Sequence, residues 1–171
     1  ANVAADAANN TNTSSNLLSR TYDNGAPTTV VTSTATDPTN LSPIPVTITF
    51  SESVTGLVVG DITVTNGTAS AFAGGGTTYT ASITPSAAGP VTVSVAANVA
   101  ADAASNGNTA SNILSRTYDN VAPTVVISST ATDPTNVSPI PVTITFSESV
   151  TGFVVGDITV TNGAAGSFAG S

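Results

Sequence analysis

The chain contains no cysteine, lysine, histidine, methionine or tryptophan, and its only cations are Arg20 and Arg116. Without cysteine it has neither disulfides nor thiolate metal sites. Without histidine or cysteine no Ser-His pair or thiolate nucleophile can be assembled, and without lysine there is no Schiff-base chemistry and no Lys-Asn isopeptide cross-link. A carboxylate pair for glycoside hydrolysis would need an aromatic-lined cleft, and aromatics are only 5% of the residues. Enzymes are therefore excluded as a function class, and no residue is assigned a catalytic role. Ten acidic residues against two arginines leave a net charge of −8. Nucleic acid and anionic membranes are bound through dense Lys and Arg, so both are excluded as partners, and cations are favoured instead. No apolar run approaches the ~18 residues of a membrane span, and no signal-like segment is present, so this segment is not expected to insert into a membrane.

What the chain does have is repetition. Residues 1–75 recur as residues 97–171, an offset of 96, and 61 of the 75 paired positions are identical. The exceptions are mild, such as Leu17 to Ile113 and Leu57 to Phe153. The string TYDN-x-AP, at Thr21–Pro27 and Thr117–Pro123, marks the natural cut between repeats. Residues 1–24 then read as the closing tail of a preceding repeat, 25–120 as one complete repeat, and 121–171 as the opening half of a following one. About 50 residues bury too little surface to fold alone. The expectation is thus a longer array of repeats, or neighbouring chains that supply the missing half.

Within residues 25–120 apolar and polar positions alternate with period two, and no segment has a helical period. About three residues in ten are Thr or Ser, which with the many Val, Gly and Pro residues suits strands and short turns. Strands are expected at Thr28–Ser33, at Val46–Phe50 and over DITVT, ending in a hairpin turn at Asn66-Gly67. Further strands are expected at Thr68–Ala73, at Thr78–Thr84 beyond a flexible tip at Gly74–Gly76, at Pro90–Ala96 and at Ser111–Tyr118. The proline-rich ATDPTNLSPIP is a turn-rich crossing, and ANVAADAASNGNTA a long loop of small residues. Roughly seven short strands in about 95 residues, with turn signals about every 8–12, form the pattern of an immunoglobulin-like sandwich. The fold class expected is all-β, with tandem immunoglobulin-like antiparallel β-sandwiches of about seven strands per 96-residue repeat. A parallel β-solenoid, the main rival for repeats, has much shorter periods. The inward face should comprise Val30, Val46, Ile48, Phe50, Ile62, Val64, Tyr79, Ile83, Val91, Val93, Val95, Ile113 and Leu114, an aliphatic core.

The strings APTVVISST, VTITFSESVTGFVVGDITVTNG, TYTASITPSAAGPVTVSVAANVAADAASNGN and TYDN resemble the bacterial Ig-like repeats of giant surface adhesins, including the calcium-dependent extender repeats of RTX-type adhesins. The likeness covers the whole chain and specifies repeat type more sharply than function. It implies an extracellular location at the bacterial cell surface and a structural role as a stalk or extender of a long adhesin or fibre. The implied partners are adjacent repeats of the same polypeptide or neighbouring copies in a fibre. Linkers as short as DN-x-AP, stiffened by Pro27 and Pro123, leave little slack.

An Ig-like topology sorts the acidic residues to the poles of each unit. Asp23 enters the complete repeat beside Glu52, Asp61 and Asp102. At the exit, Asp119 should lie near Asp37 and Asn40 and face Glu148 and Asp157 of the next repeat. Gathered carboxylates repel one another unless neutralised. Calcium, which takes roughly six to eight oxygens, is the natural agent and the ion the resemblance implies between units. Neither an EF-hand loop nor a GGxGxDxUx nonapeptide is present. The same acids also have plainer roles as solvated loop residues, with Asp37 opening a turn before Pro38 and Asp61 capping a strand end. Arg20 and Arg116 suit salt bridges at the rim, and Tyr22 and Tyr118 suit edge packing. Three alternatives remain. Thr47-Ile48-Thr49 and Thr63-Val64-Thr65 carry a carbohydrate- or ice-binding reading. Sequons at Asn9, Asn12, Asn40, Asn66 and Asn136 admit surface glycans. A self-assembling filament would place the N-terminal strand of one chain in the open half-sandwich of the next.

Overall fold

The period-two pattern is realised as strand. The computed structural model describes residues 3–170, so the first two residues of the expected tail, and Ser171, lie outside the described residues. The chain divides into one unit over Ala1–Asp119 and another over Asn120–Ser171.

The first unit holds β1 (Thr29–Thr32), β2 (Ile44–Val54), β3 (Ile62–Thr65), β4 (Gly67–Pro85), β5 (Gly89–Val95) and β6 (Leu114–Tyr118), with a 3-10 turn at Val59–Asp61. These form two antiparallel three-stranded sheets, ordered β1-β2-β4 and β3-β5-β6. Alternate residues of β2 (Ile44, Val46, Ile48, Phe50) and of β5 (Val91, Val93, Val95) point inward and join one buried cluster. Burying each Val, Ile or Phe contributes about 1.5–3 kcal/mol, so an aliphatic cluster shared by both sheets holds the sandwich together. Tyr79 adds a T-shaped contact to Phe50 and stacks on Phe72, and its hydroxyl donates to the Val54 carbonyl inside the core.

β4 doubles back on itself about Gly74–Gly76. Gly67 lies against Thr84, the Ser70 hydroxyl donates to the Ser82 carbonyl, and Gly74 lies against Thr78. The two strands expected at Thr68–Ala73 and Thr78–Thr84 are the arms of this hairpin.

Three local expectations are corrected. Asn66-Gly67 does not close a hairpin, because β3 pairs with β5 and the chain crosses there to the other sheet. Asn66 still takes a left-handed φ of 55°, but its side chain donates to the carbonyls of Ala87 and Pro90. In β1 the inward valine is Val31, 1% exposed, whereas Val30 is 49% exposed. Thr29 shares the inner face, where its hydroxyl donates to the Thr109 carbonyl. Ile113 is exposed, since β6 begins at the inward Leu114 and the pleat turns its neighbour out.

The second unit holds β7 (Val125–Ser128) paired antiparallel with β8 (Thr143–Phe146), and a 3-10 turn at Val155–Asp157. Val125 opposes Phe146 as Thr29 opposes Phe50, which is the same register one repeat later. Phe153 makes T-shaped contacts with Phe146 and Phe168. Ile127, the counterpart of the buried Val31, is 67% exposed.

Candidate metal centre

Three carboxylates from three separate segments converge at one pole of the first unit. One oxygen each from Asp23, Glu52 and Asp102 lies within 4.8 Å of the others. Asp23 sits on the entering chain, where its Oδ1 accepts the Gly25 amide at 2.9 Å and its main-chain carbonyl accepts Asn106 Nδ2 at 3.3 Å. A reciprocal pair between Thr28 and Ser51 then lays that chain beside Glu52: the Thr28 amide donates to Ser51 Oγ, and the Ser51 amide to the Thr28 carbonyl. Glu52 itself lies near the end of β2, where the pairing with β4 slips between Thr49 and Val54.

Asp102 belongs to the long late loop. Two main-chain bonds between Thr55 and Ala101 hold the loop to the end of β2. Asn108, 1% exposed, holds it from within, accepting the Val99 and Ala100 amides and donating to the carbonyls of Ala96 and Thr109. The Asp102 Oδ1 accepts the amides of Ala104 and Asn106, and its Oδ2 accepts Asn106 Nδ2. The Asn106 side chain, with the amides of Asn106, Ala104 and Ser105, holds the buried Asp102 carboxyl below its ordinary value against the opposing effect of burial. Glu52 is displaced the other way: burial first, then the charges of Asp102 and Asp23, push its carboxyl above the ordinary range. The two shifts have different causes: neighbouring negative charge adds to burial at Glu52, whereas hydrogen-bond donors set the direction at Asp102.

The loop is written largely by local sequence. Residues 3–12 form the same structure outside any sandwich: Asp6 accepts the Ala8 and Asn10 amides and Asn10 Nδ2, and Asn12 Oδ1 accepts the Val3 and Ala4 amides. Asn106, Asn108 and Ser51 are functional supports that sequence reasoning missed. The Asp-x-x-x-Asn-x-Asn spacing, present at 6–12 and 102–108, is the signal that could have found the two asparagines, because Asp and Asn carboxyl and amide groups cap the backbone a few residues away.

A family model described as a bacterial Ig-like domain matches residues 23–118 and again residues 119–171. The chain belongs to the bacterial Ig-like domain family. Its first Ig-like match begins at Asp23 and so takes in all three converging carboxylates. No curated protein and no solved structure gives a significant match. Bacterial Ig-like domains are a structural rather than typically enzymatic domain type and are common in surface proteins. Among the described residues no helix is long and apolar enough to cross a membrane.

The other acids expected at the poles of the Ig-like unit are placed differently. Asp61 stands outside the converging group; its Oδ2 accepts the Val58 amide and closes the 3-10 turn, and Asp157 does the same with Val154 in the second unit. Asp37 and Asp119 share the exit end of the first unit. There Asp37 Oδ1 accepts the Thr117 amide, and the Asp119 amide donates to the Thr39 carbonyl, with Asn40 exposed beside it. Glu148 is exposed in the second unit. Arg116 is a clamp on main-chain carbonyls, donating Nε to Ala35 and Nη2 to Ser33, which fixes the crossing after β1. Tyr118 packs against the core cluster, while Tyr22 is exposed. The donor set of Asp23, Glu52 and Asp102 is all oxygen and anionic, the kind that hard divalent cations take.

Proposed function

We propose that this chain is a structural stalk or extender segment of a long extracellular bacterial adhesin or surface fibre, stiffened by Ca2+ held by Asp23, Glu52 and Asp102. The convergence of these three carboxylates carries the reading, because they come from the entering linker, the end of β2 and the late loop. Bound calcium would supply neutralising charge and oxygen coordination. Asp102 is oriented in advance by its amide donors, Glu52 completes the anionic face, and Asp23 brings the linker to it. Holding Asp23 there restrains the linker against the body of the unit, which turns a hinge into a stiffer joint. The stalk role draws on the near-identity of sequence at an offset of 96, on the two consecutive family matches, and on a composition without cysteine, histidine or lysine.

Thermal melting in calcium and in chelator tests the ion. A ligand at about a hundredfold above its Kd stabilises by roughly 2.7 kcal/mol. For a domain of this size that raises the melting temperature by about 10–20 °C. Asp102→Asn should erase most of the gain, and magnesium, which prefers a smaller and more rigid shell, should give less. Superimposable melts with and without chelator would remove the ion from the argument. Small-angle scattering of the chain should then show a narrower spread of shapes with calcium than in chelator.

A further inference from the structure

An asparagine followed by glycine is prone to lose its side-chain nitrogen, because glycine, with no Cβ, leaves its amide open to attack the carboxamide. Three such steps lie in the first unit or at its entry: Asn24-Gly25, Asn66-Gly67 and Asn106-Gly107. The fold treats them unequally. Asn66 is half-buried; its Nδ2 donates to the carbonyls of Ala87 at 2.9 Å and Pro90 at 3.3 Å, and its own carbonyl accepts the Ser86 amide at 3.1 Å. Asn106 is also half-buried. Its Nδ2 donates to Asp102 Oδ2 at 2.9 Å and to the Asp23 carbonyl at 3.3 Å, its amide donates to Asp102 Oδ1 at 2.8 Å, and its carbonyl accepts the Asp102 amide at 3.2 Å. Each carboxamide is held by two acceptors and cannot swing round to the following amide without releasing both.

Asn24 is exposed, and among the described residues nothing bonds to its side chain or its main chain. Gly25 is exposed as well, and the bond from its amide to Asp23 Oδ1, at 2.9 Å, lies at the surface, where water replaces it. A Cβ at Gly25 would meet only Asp23 Oδ1, at 3.4 Å, so the approach to this amide is open. The linker behind the unit provides the contrast. Asn120 holds the same place in the string Tyr-Asp-Asn and is likewise exposed, so the position is open on leaving a complete unit as well as on entering one. There the next residue is Val121, whose branched side chain crowds its own amide.

We propose that Asn24 is a site of spontaneous deamidation and isomerisation in the folded chain, with water as the co-reactant. The Gly25 amide gives its proton to solvent hydroxide and its nitrogen attacks Asn24 Cγ. The N–Cγ bond forms, the Cγ–Nδ2 bond breaks, and Nδ2 leaves as ammonia. Water then opens the resulting cyclic imide at either carbonyl. Opening at Cγ leaves aspartate; opening at the main-chain carbonyl leaves isoaspartate, in which the backbone runs through the side chain and is one carbon longer. Either product adds a negative charge next to Asp23, at the pole where Glu52 and Asp102 already converge. This chemistry requires no metal and is independent of the calcium reading.

Peptide mapping by mass spectrometry of the full chain, aged in mildly alkaline buffer with and without urea, tests it. In native buffer Asn24 should convert ahead of Asn66 and Asn106 by about tenfold or more, the factor set by releasing two side-chain hydrogen bonds at each of the held sites. In urea Asn66 and Asn106 should come level with Asn24, because their protection belongs to the fold. Asn120 should stay slow in both, because its protection belongs to Val121. Gly25→Val, which writes the second linker into the first, should suppress conversion at residue 24 and leave the melting temperature of the first unit unchanged. Asn24 that stays intact in native buffer while it converts in urea, Asn66 or Asn106 that convert in native buffer as fast as Asn24, or undiminished conversion at residue 24 in Gly25→Val would each overturn the proposal.

Discussion

Replacing Asn108 with alanine should unseat the late loop and destabilise the whole first unit. Its carboxamide is 1% exposed and engages five partners. Oδ1 accepts the amides of Val99 at 3.0 Å and Ala100 at 2.8 Å. Nδ2 donates to the carbonyls of Ala96 at 2.9 Å and Thr109 at 2.8 Å, and to the Thr29 hydroxyl at 3.2 Å. A hydrogen bond whose partner can turn to water is worth about 1 kcal/mol net, and a buried group left without a partner costs about 1–3 kcal/mol. Ala100 is buried, so its amide falls in the second class, while the more accessible ends fall in the first. The sum is about 3–5 kcal/mol, a large share of the ~5–15 kcal/mol that holds a domain folded. At about 4–8 °C per kcal/mol, the melting temperature should fall by roughly 15–30 °C. The chain has no tryptophan, so circular dichroism in thermal and urea titrations is the suitable probe. Asn12→Ala is the internal control, because the same residue in the same local motif is exposed there. That control should change stability by less than about 0.5 kcal/mol. A loss below about 1 kcal/mol for Asn108→Ala, or equal effects at the two positions, would refute the view that the buried carboxamide anchors the loop.

Other changes separate the remaining claims. Val31→Ala should cost about 2 kcal/mol by urea titration, whereas Val30→Ala, on the outer face, should stay within about 0.5 kcal/mol. Gly74 has a φ of +113°, and an added Cβ would sit 2.8 Å from the Tyr79 Cα, so Gly74→Ala should lower the melting temperature and open the β4 hairpin to hydrogen exchange. Glu52 is held above its ordinary value of 4.5 by burial and by Asp102 and Asp23. The folded form therefore binds that proton more tightly than the unfolded chain, and stability in chelator should fall as pH rises from the ordinary value through the raised one. Glu52→Gln should flatten that fall and abolish the calcium response, as read by melts across pH. Asp102 has the opposite sign: its contribution is full above its ordinary value of 3.8 and is lost on acidification through its lowered value, so Asp102→Asn should blunt acid unfolding.

Much of the molecule was legible before any coordinates. Alternation over β2 and β5 identified Val46, Ile48, Phe50, Val91, Val93 and Val95 as inward, and all are buried. Such runs offer only one apolar phase. The meeting of Asp23, Glu52 and Asp102 also followed from the topology once strands were assigned, since loop order decides which ends share a pole. The Asp-x-x-x-Asn-x-Asn loop is a property of the local sequence too, and it forms alike at residues 3–12 and 99–108.

Only the tertiary structure decided the rest, for reasons of phase and partnership. The string TVVT reads equally well with either valine inside, and the choice fell to Val31 because Asn112, 81 residues away, grips its main chain while Thr29 reaches Thr109. Asn66-Gly67 specified a left-handed turn residue but not which strand should come next to it, and β3 found its partner in β5 across the sandwich. Asp61 was near enough in sequence to join the acidic group, yet the Val58 amide three residues back captured its carboxylate. Period and turn conformation are local quantities that neighbouring residues determine. Which phase faces inward, and which strand lies alongside, are settled by burial and hydrogen bonds from distant parts of the chain.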